Sequence, residues 1–385
     1  MISGELVKDA EALEPLEPQW DDLATSMRAP YCSPVWMLAW WRHVAGPRCA
    51  LRAVVVRDGE DVVGIAPFFA VRELGVVRYR LLAADVSFPV QPLAAPGHER
   101  SVARCVVEAL ARSDPRPDVV TLDGTPATAP WRDLLAATWR GGTAPRVHRT
   151  RVLPAPVLAL GGRDYEGWLS SKSSNFRQQM RRFRRRLEDK GATFRLAAGP
   201  DHVERGLRAF LALHHTRWES RGGSNLVRSG LDDMLRTVAD RFAGSLRFRV
   251  WLLDVAGKTV SAQIFVEAGG EVAYWNGGFD EEWEAQRPAV QTILAAIEHA
   301  FAVGDSRVNF GGGAHDYKVR FADEDGGDQL EWTTLLPVTV RYPLARLSLL
   351  PDDLRRTVSN RISDNTKRRL KQLARTGCST ERART

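Results

Sequence analysis

Apolar residues along this chain recur in two rhythms. Some runs alternate or are continuously apolar, and others repeat at steps of three and four, which together is the pattern of a mixed α/β (α+β) protein. In the first half, "SPVWMLAWWRHV" reads as an amphipathic helix entered through Ser33 and Pro34, an N-cap followed by proline at the first helical position. "LRAVVVRDG" and "DVVGIAPFFAVRE" read as strands joined by a turn at Arg57-Asp58-Gly59, with "GVVRYRLLA" as a third strand. "ERSVARCVVEALAR" is then a helix, "PDVVTLDG" a short buried strand and "APWRDLLAATWR" another helix. The Gly- and Pro-rich stretch from Gly141 to Pro156 reads as a loop and places a domain boundary near residue 155.

The second half repeats this order. "NFRQQMRRFRRRLEDKG", residues 175–191, has Phe176, Met180, Phe183 and Leu187 at steps of four, three and four, giving one apolar stripe on a helix capped by Asn175 and followed by Gly191. A strand "ATFRLAAG", a long helix "HVERGLRAFLALHHTRWESRGG" and a helix "GLDDMLRTVADRFA" follow. "SLRFRVWLLDVAGKTVSAQIFVEAGGEVAYWNGGFD" supplies three strands with turns at Gly257 and at Gly269-Gly270, "PAVQTILAAIEHAFAVG" a helix and "SRVNFGGG" a strand. "VVVRDGEDVVGIAPFF" and "WLLDVAGKTVSAQIFV" share one shape, an apolar strand, a charged glycine turn and a second strand, so the chain reads as two copies of one α/β unit.

Composition adds bounds. The chain has 385 residues and is 44% hydrophobic with twelve tryptophans, enough for large cores and too long for one ordinary core. No apolar run is long enough to cross a bilayer, and the acidic start "MISGELVKDAEALEPLEPQW" lacks a signal-peptide core, so a cytoplasmic protein is expected. Cys32, Cys49, Cys105 and Cys378 are far apart and lack metal-ligand spacing, so neither a disulfide scaffold nor a metal is expected. The net charge of +7 is concentrated after Arg341, where twelve Arg or Lys face four Asp or Glu. The body of the chain is near neutral, and residues 341–385 read as a basic helical or flexible tail able to meet RNA, a membrane surface or an acidic partner, or only to solubilise the chain.

The stretch 271–321 runs strand, acidic loop, helix opening at Pro288, strand, three glycines and "HDYK". This order resembles the core of the GNAT acyltransferases, and more closely their CelD-like or FemAB-like branch. The resemblance rests on the motifs "NFRQQMRRFRRRL", "HHTRWESRGG", "GGFD" and "GGGAHDYKVRF", with "SPVWMLAWW" and "AADVSFPVQPLAAPG" before them, and spans roughly residues 15–335. It implies two GNAT-like units, each a mixed central sheet flanked by helices: residues 1–155 without a site of their own, and residues 156–340 as the acyltransferase unit. It implies an acyl-coenzyme A donor bound at a helix N-terminus by Arg287, Ala289, Val290, Gln291 and Thr292, where free N–H groups and the helix dipole meet an anion. It also implies an amine on a small-molecule or sugar-linked acceptor.

One departure matters. GNAT phosphate loops carry glycines that let phosphate approach the backbone, and "AQRPAVQT" has none. The related Fem transferases use an aminoacyl-tRNA donor without that loop, so tRNA is the alternative donor, and a non-catalytic RNA-binding or assembly module is a third reading. By resemblance, Tyr317 sits where GNAT enzymes protonate the departing thiolate, and Lys318 matches the lysine that Fem-like enzymes place at the reacting carbonyl. Tyr274 and Asn276, two apart on one strand, are expected on one face lining the acyl pocket. Arg177, Arg181 and Arg184 form one ridge suited to an anionic group on the substrate, and the resemblance adds Trp218, in "HHTRWESRGG", as a substrate-binding residue. Glu267, Asp280, His315 and Asp316 are the candidates for a general base, and none is assigned; His214 and His215 read as mid-helix residues.

Overall fold

The computed structural model describes residues 1–139, 144–219, 230–323 and 327–361, with no side-chain description for 217–219, 351–353 and 355–361. The repeat seen in the sequence is a repeat of elements. The first unit runs β1 (Ile2–Val7), α1 (Glu17–Ser26), α2 (Pro34–His43), β2 (Ala50–Asp58), β3 (Asp61–Glu73), β4 (Val76–Leu81), the two-residue β5 (Leu93–Ala94), α3 (Glu99–Arg112), β6 (Val119–Pro126), α4 (Trp131–Thr138) and β7 (Arg146–Ala159). Two helices then stand outside the repeat, α5 (Tyr165–Ser171) and α6 (Ser174–Glu188). The second unit runs β8 (Ala192–Leu196), α7 (Pro200–Glu219), α8 (Leu231–Arg241), β9 (Phe248–Val255), β10 (Lys258–Ala268), β11 (Glu271–Phe279), α9 (Pro288–Val303), β12 (Arg307–Asn309), α10 (Asp316–Phe321) and β13 (Gly327–Leu336). A last helix, α11, spans Tyr342–Arg361.

The strands form one mixed sheet in the order β1-β2-β3-β4-β6-β13-β7-β12-β11-β10-β9-β8, with β5 on β3. Each half is an antiparallel meander of four strands that adds one parallel strand through a crossover helix, β4 to β6 by α3 and β11 to β12 by α9. The halves then exchange strands. β13, the last strand of the second unit, pairs with β6 of the first, and β7, the last strand of the first, pairs with β12 of the second. β7 and β13 pair with each other along Arg146–Pro156 at the middle of the sheet.

Two readings of the sequence are corrected here. The stretch read as a loop between Gly141 and Pro156 contains most of strand β7, and its prolines are accommodated because the segment after β12 uses only the carbonyls of Pro154 and Pro156, through the N–H groups of Gly313 and Phe310. The arginine helix is capped by Ser173, whose Oγ accepts from the Phe176 N–H at 3.2 Å, and Asn175 lies inside it. Of the basic C-terminal segment, Tyr342–Arg361 is helical, with Ala345 and Leu349 of α11 buried against Val76, Val119 and Leu336.

The sheet has a core on each face. The larger joins the units, with Trp20, Trp36 and Trp40 from α1 and α2 continuous with Leu231, Leu235 and Val238 of α8 and Val250 and Ile264 of the sheet. The smaller packs Trp168, Phe176 and Met180 of the extra helices on α9, with Phe265, Phe310 and Phe321. Among the described residues, no helix is long and apolar enough to cross a membrane.

Candidate active site

A groove opens where β11 and β12 part. They pair in parallel only over Glu271–Ala273 and Arg307–Asn309. Beyond that point the chain after β12 turns to β7, where Phe310 N–H donates to Pro156 O at 3.1 Å and Gly313 N–H to Pro154 O at 2.8 Å. β11 meanwhile carries a bulge. Ile264 faces Asn276 and Phe265 faces Tyr274, so Trp275 is the extra residue.

The bulge overturns the expectation that Tyr274 and Asn276 share a face. Directly opposed residues lie on the same side of a sheet, so Tyr274 joins Phe265 on the side of the smaller core, and Asn276 joins Ile264 on the other. Trp275 also turns to the larger core, with Nε1 donating to Val86 O of the first unit at 3.0 Å and its ring edge-on to Trp36. Asn276 is occupied locally, its Oδ1 accepting from Gly277 N–H at 2.8 Å.

A buried polar chain forms the groove floor. The Tyr274 hydroxyl donates to Gln263 Oε1 at 2.9 Å, and Gln263 Nε2 donates to Ser261 Oγ at 3.0 Å and Gly278 O at 3.3 Å. Thr292 Oγ1 lies 3.0 Å from Ser261 Oγ and 2.9 Å from Pro288 O, which ties the floor to the first turn of α9. Gly277 faces Gln263 across the strands, and a Cβ there would lie 1.7 Å from Gln263 Oε1. Glycine is therefore what lets the carboxamide reach its partners.

The N-terminus of α9 borders this floor. Arg287 caps it in the left-handed region, at φ 54° and ψ 50°. Pro288 has no N–H, and Gln291 N–H already donates to Arg287 O at 3.1 Å. The helix start thus offers the N–H groups of Ala289 and Val290, and both residues line the groove with Arg287. The structure does not bring the side chains of Gln291 and Thr292 there: both are fully buried, with Gln291 Nε2 donating to Met180 O at 3.3 Å.

Helix α10 turns one of two adjacent side chains to the groove and buries the other. Tyr317 lines the groove together with Tyr274. Lys318, one step round the helix, is only 8% exposed, and its Nζ donates to Gly312 O at 3.1 Å. Gly312 in turn lies against the Phe88 ring of the first unit. Burial pulls the Lys318 pKa down to about 8. His315, stacked on the Tyr317 ring, is lowered from its ordinary value by burial and then by the neighbouring Lys318 charge.

Residues 174–319 match the model of the acetyltransferase (GNAT) domain family. This segment is a GNAT domain. The protein is an acyltransferase, and the GNAT-like pattern extends to the first unit through the repeated order of elements. No curated protein matches the chain in sequence. Among solved structures, FemX is similar over 86% of this chain and 98% of its own, at 12% identity and a TM-score of 0.56. The DUF2156 domain of an Agrobacterium fabrum protein described as a lysylphosphatidylglycerol synthetase matches over 88% of this chain and 94% of its own, at 10% identity and a TM-score of 0.55. A conserved protein of unknown function from Bacteroides thetaiotaomicron matches over 88% and 100%, at 12% identity and a TM-score of 0.53. At such identities these likenesses concern the fold.

The GNAT domain begins with the arginine helix α6, which lies across the groove. The flank that faces it is not the one the ridge predicts. Arg177 Nη1 donates to Ser170 O at 2.8 Å and also to Lys172 O, holding the α5–α6 connection. Arg184 bonds Glu188 at 2.9 Å and stands over the Phe194 ring at 4.1 Å, while Arg181 is exposed. The opposite flank of the same apolar stripe, Gln179 and Arg182 with Phe183, lines the groove together with Arg320 of α10. The side chain of Trp218 lies outside the described residues. Gln263, Glu284, Gln179, Arg182 and Arg320 are polar lining residues that the sequence reading did not name. Gln263 had a legible signal, a lone amide inside an apolar strand.

Two base candidates are committed elsewhere. Glu267 Oε1 accepts from Gly270 N–H at 2.7 Å, and Asp280 bonds Lys258 at 2.7 Å and caps the following turn.

Ser173 fixes the start of α6 and hence the outer wall of the groove. Ser173→Ala should lower stability by about 1 kcal/mol in chemical denaturation. It should also raise the donor KM more than it changes kcat, because the wall loosens while Tyr274 and Tyr317 stay in place.

Proposed function

We propose that this protein is an N-acyltransferase that moves an acyl group from acyl-coenzyme A to an amine on a small-molecule or sugar-linked acceptor by direct attack. The observation that carries the reading is the groove between the parted strands, lined by two tyrosines and by the two residues whose N–H groups open α9. The amine nitrogen adds to the thioester carbonyl, the C–S bond of the tetrahedral intermediate breaks, and the thiolate leaves with a proton. Tyr317 is positioned to give that proton and to recover one from solvent, while the attacking nitrogen loses its own to water. Ala289 and Val290 N–H groups meet a donor phosphate. Lys318 places a cation at the Gly311–Gly313 segment that edges the splay, where charge on the carbonyl oxygen is stabilised.

Isothermal titration of acetyl-coenzyme A into the full chain, and into a chain ending at Arg361, tests this. Micromolar binding in both is the expected result. Binding lost with the last residues would assign the affinity to a basic segment and remove the groove from the argument.

A second reading keeps the fold and replaces the donor with aminoacyl-tRNA. It is favoured by the absence of glycine in the first turn of α9, which leaves little backbone for a pyrophosphate. Activity abolished by ribonuclease in a crude extract would select it.

A further inference from the structure

The groove has an outer lobe. Past Arg287, Val290 and Tyr317 it continues between α6 and α10, walled by Arg182 and Gln179 on one side and Arg320 on the other. Three guanidinium groups from three separate elements therefore face one cavity: Arg182 on α6, Arg287 at the cap of α9 and Arg320 on α10. Among the described residues none of the three is paired with a carboxylate, although Asp316 also lines the lobe, four residues before Arg320. Their neighbours on the far flank of α6 behave differently, Arg184 being spent on Glu188 and Arg177 on backbone carbonyls. Arg320 is also held in place, with Nη2 donating to Gln179 Oε1 at 3.1 Å and the guanidinium over the Phe176 ring at 4.9 Å. That leaves its remaining N–H groups directed by packing instead of by an ion pair.

Helices α5 and α6 have no counterpart in the first unit, so this lobe exists only where the second unit carries its groove. The glycine-free start of α9 offers two backbone N–H groups, fewer than a phosphate-rich ligand needs. Guanidinium forks bind phosphate oxygens in pairs and need no close backbone approach.

We infer that the outer lobe is a phosphate subsite, in which Arg182, Arg287 and Arg320 take over from a glycine loop and hold the diphosphate of the acyl-coenzyme A donor. The inference rests on the coenzyme A reading above and adds to it the residues that bind the donor's charged end.

The test compares two acetyl donors by titration and kinetics: acetyl-coenzyme A, and S-acetyl-pantetheine, which has the same thioester and arm but no phosphate. The Arg182→Gln, Arg320→Gln double variant should bind acetyl-coenzyme A about tenfold more weakly or worse, as expected for lost charge-assisted hydrogen bonds. Its kcat/KM with S-acetyl-pantetheine should match that of wild type, and the salt dependence of acetyl-coenzyme A binding should become shallower. Arg182→Gln alone, at an exposed position, provides the same comparison without touching the Phe176 contact. Unchanged acetyl-coenzyme A affinity in both variants, or equal losses with both donors, would overturn the phosphate subsite. Absence of acetyl-coenzyme A binding to folded wild type would instead overturn the coenzyme A reading beneath it.

Discussion

Lys318→Met should cost turnover and raise stability at once. In the proposed reaction the ammonium stabilises charge that develops only in the transition state, so its removal should lower kcat by about 100- to 1000-fold with little change in donor affinity. The same ammonium is a burden on the fold. Its folded-state pKa of about 8 lies below the ordinary 10.5, so at neutral pH the folded protein holds a proton that burial disfavours. The full gap corresponds to about 3 kcal/mol, and Lys318→Met should recover a part of it, reduced by the lost bond to Gly312 O.

The pH dependence has a definite sign. The unfolded chain binds the proton more tightly, so wild-type stability gains from this group as pH rises from about 8 towards 10.5. The stability difference between Lys318→Met and wild type should therefore be constant below pH 8 and shrink above it in parallel denaturation curves. The kcat profile of wild type should fall with a midpoint near 8 as the cation is lost, and the variant should lack that limb. Unchanged kcat in Lys318→Met would remove the residue from the chemistry. A loss of stability would mean that the amine is held by more than one carbonyl.

Gly277→Ala should damage fold and groove together. Its Cβ would overlap Gln263 Oε1, and Gln263, at 1% exposure, has no room to swing away. Displacing the carboxamide breaks its contacts with Tyr274, Ser261 and Gly278 and leaves buried polar groups unpaired, a cost of about 3 kcal/mol. Turnover should fall with it, because Tyr274 and the first turn of α9 are held through that chain. The cause can be isolated: in a Gln263→Ala background the same substitution meets no carboxamide and should cost at least about 1 kcal/mol less. Strictly additive losses in the double-mutant cycle would show that Gly277 matters for another reason.

Much of this architecture is legible in the sequence, and the misses share one cause. The hairpins around Gly59 and Gly257, the Ser33-capped helix and the helix opening at Pro288 are local, and the residues that specify them are adjacent in the chain. β7 was hidden because its pairing partners come from the far end of the sequence and its prolines signal a loop. The face of Asn276 was misjudged because one extra residue in a strand reverses the alternation, and nothing in "AYWNGG" marks that residue. The arginine helix shows the same limit in another form. Its apolar stripe says what is buried and leaves open which of the two flanks meets the groove. Arg287 and Tyr317 line the groove from the starts of α9 and α10, where a local sequence motif and the groove coincide.

The exchange of β7 and β13 also bears on how the molecule is made. β6 is synthesised about 200 residues before the strand that covers its open side. Until Gly327–Leu336 has left the ribosome, the first unit carries a bare row of N–H and C=O groups on an otherwise apolar sheet, open to pairing with another chain. Completion of the first half must therefore wait for residues 327–336, and a nascent chain stalled before β13 is a species for a chaperone to hold.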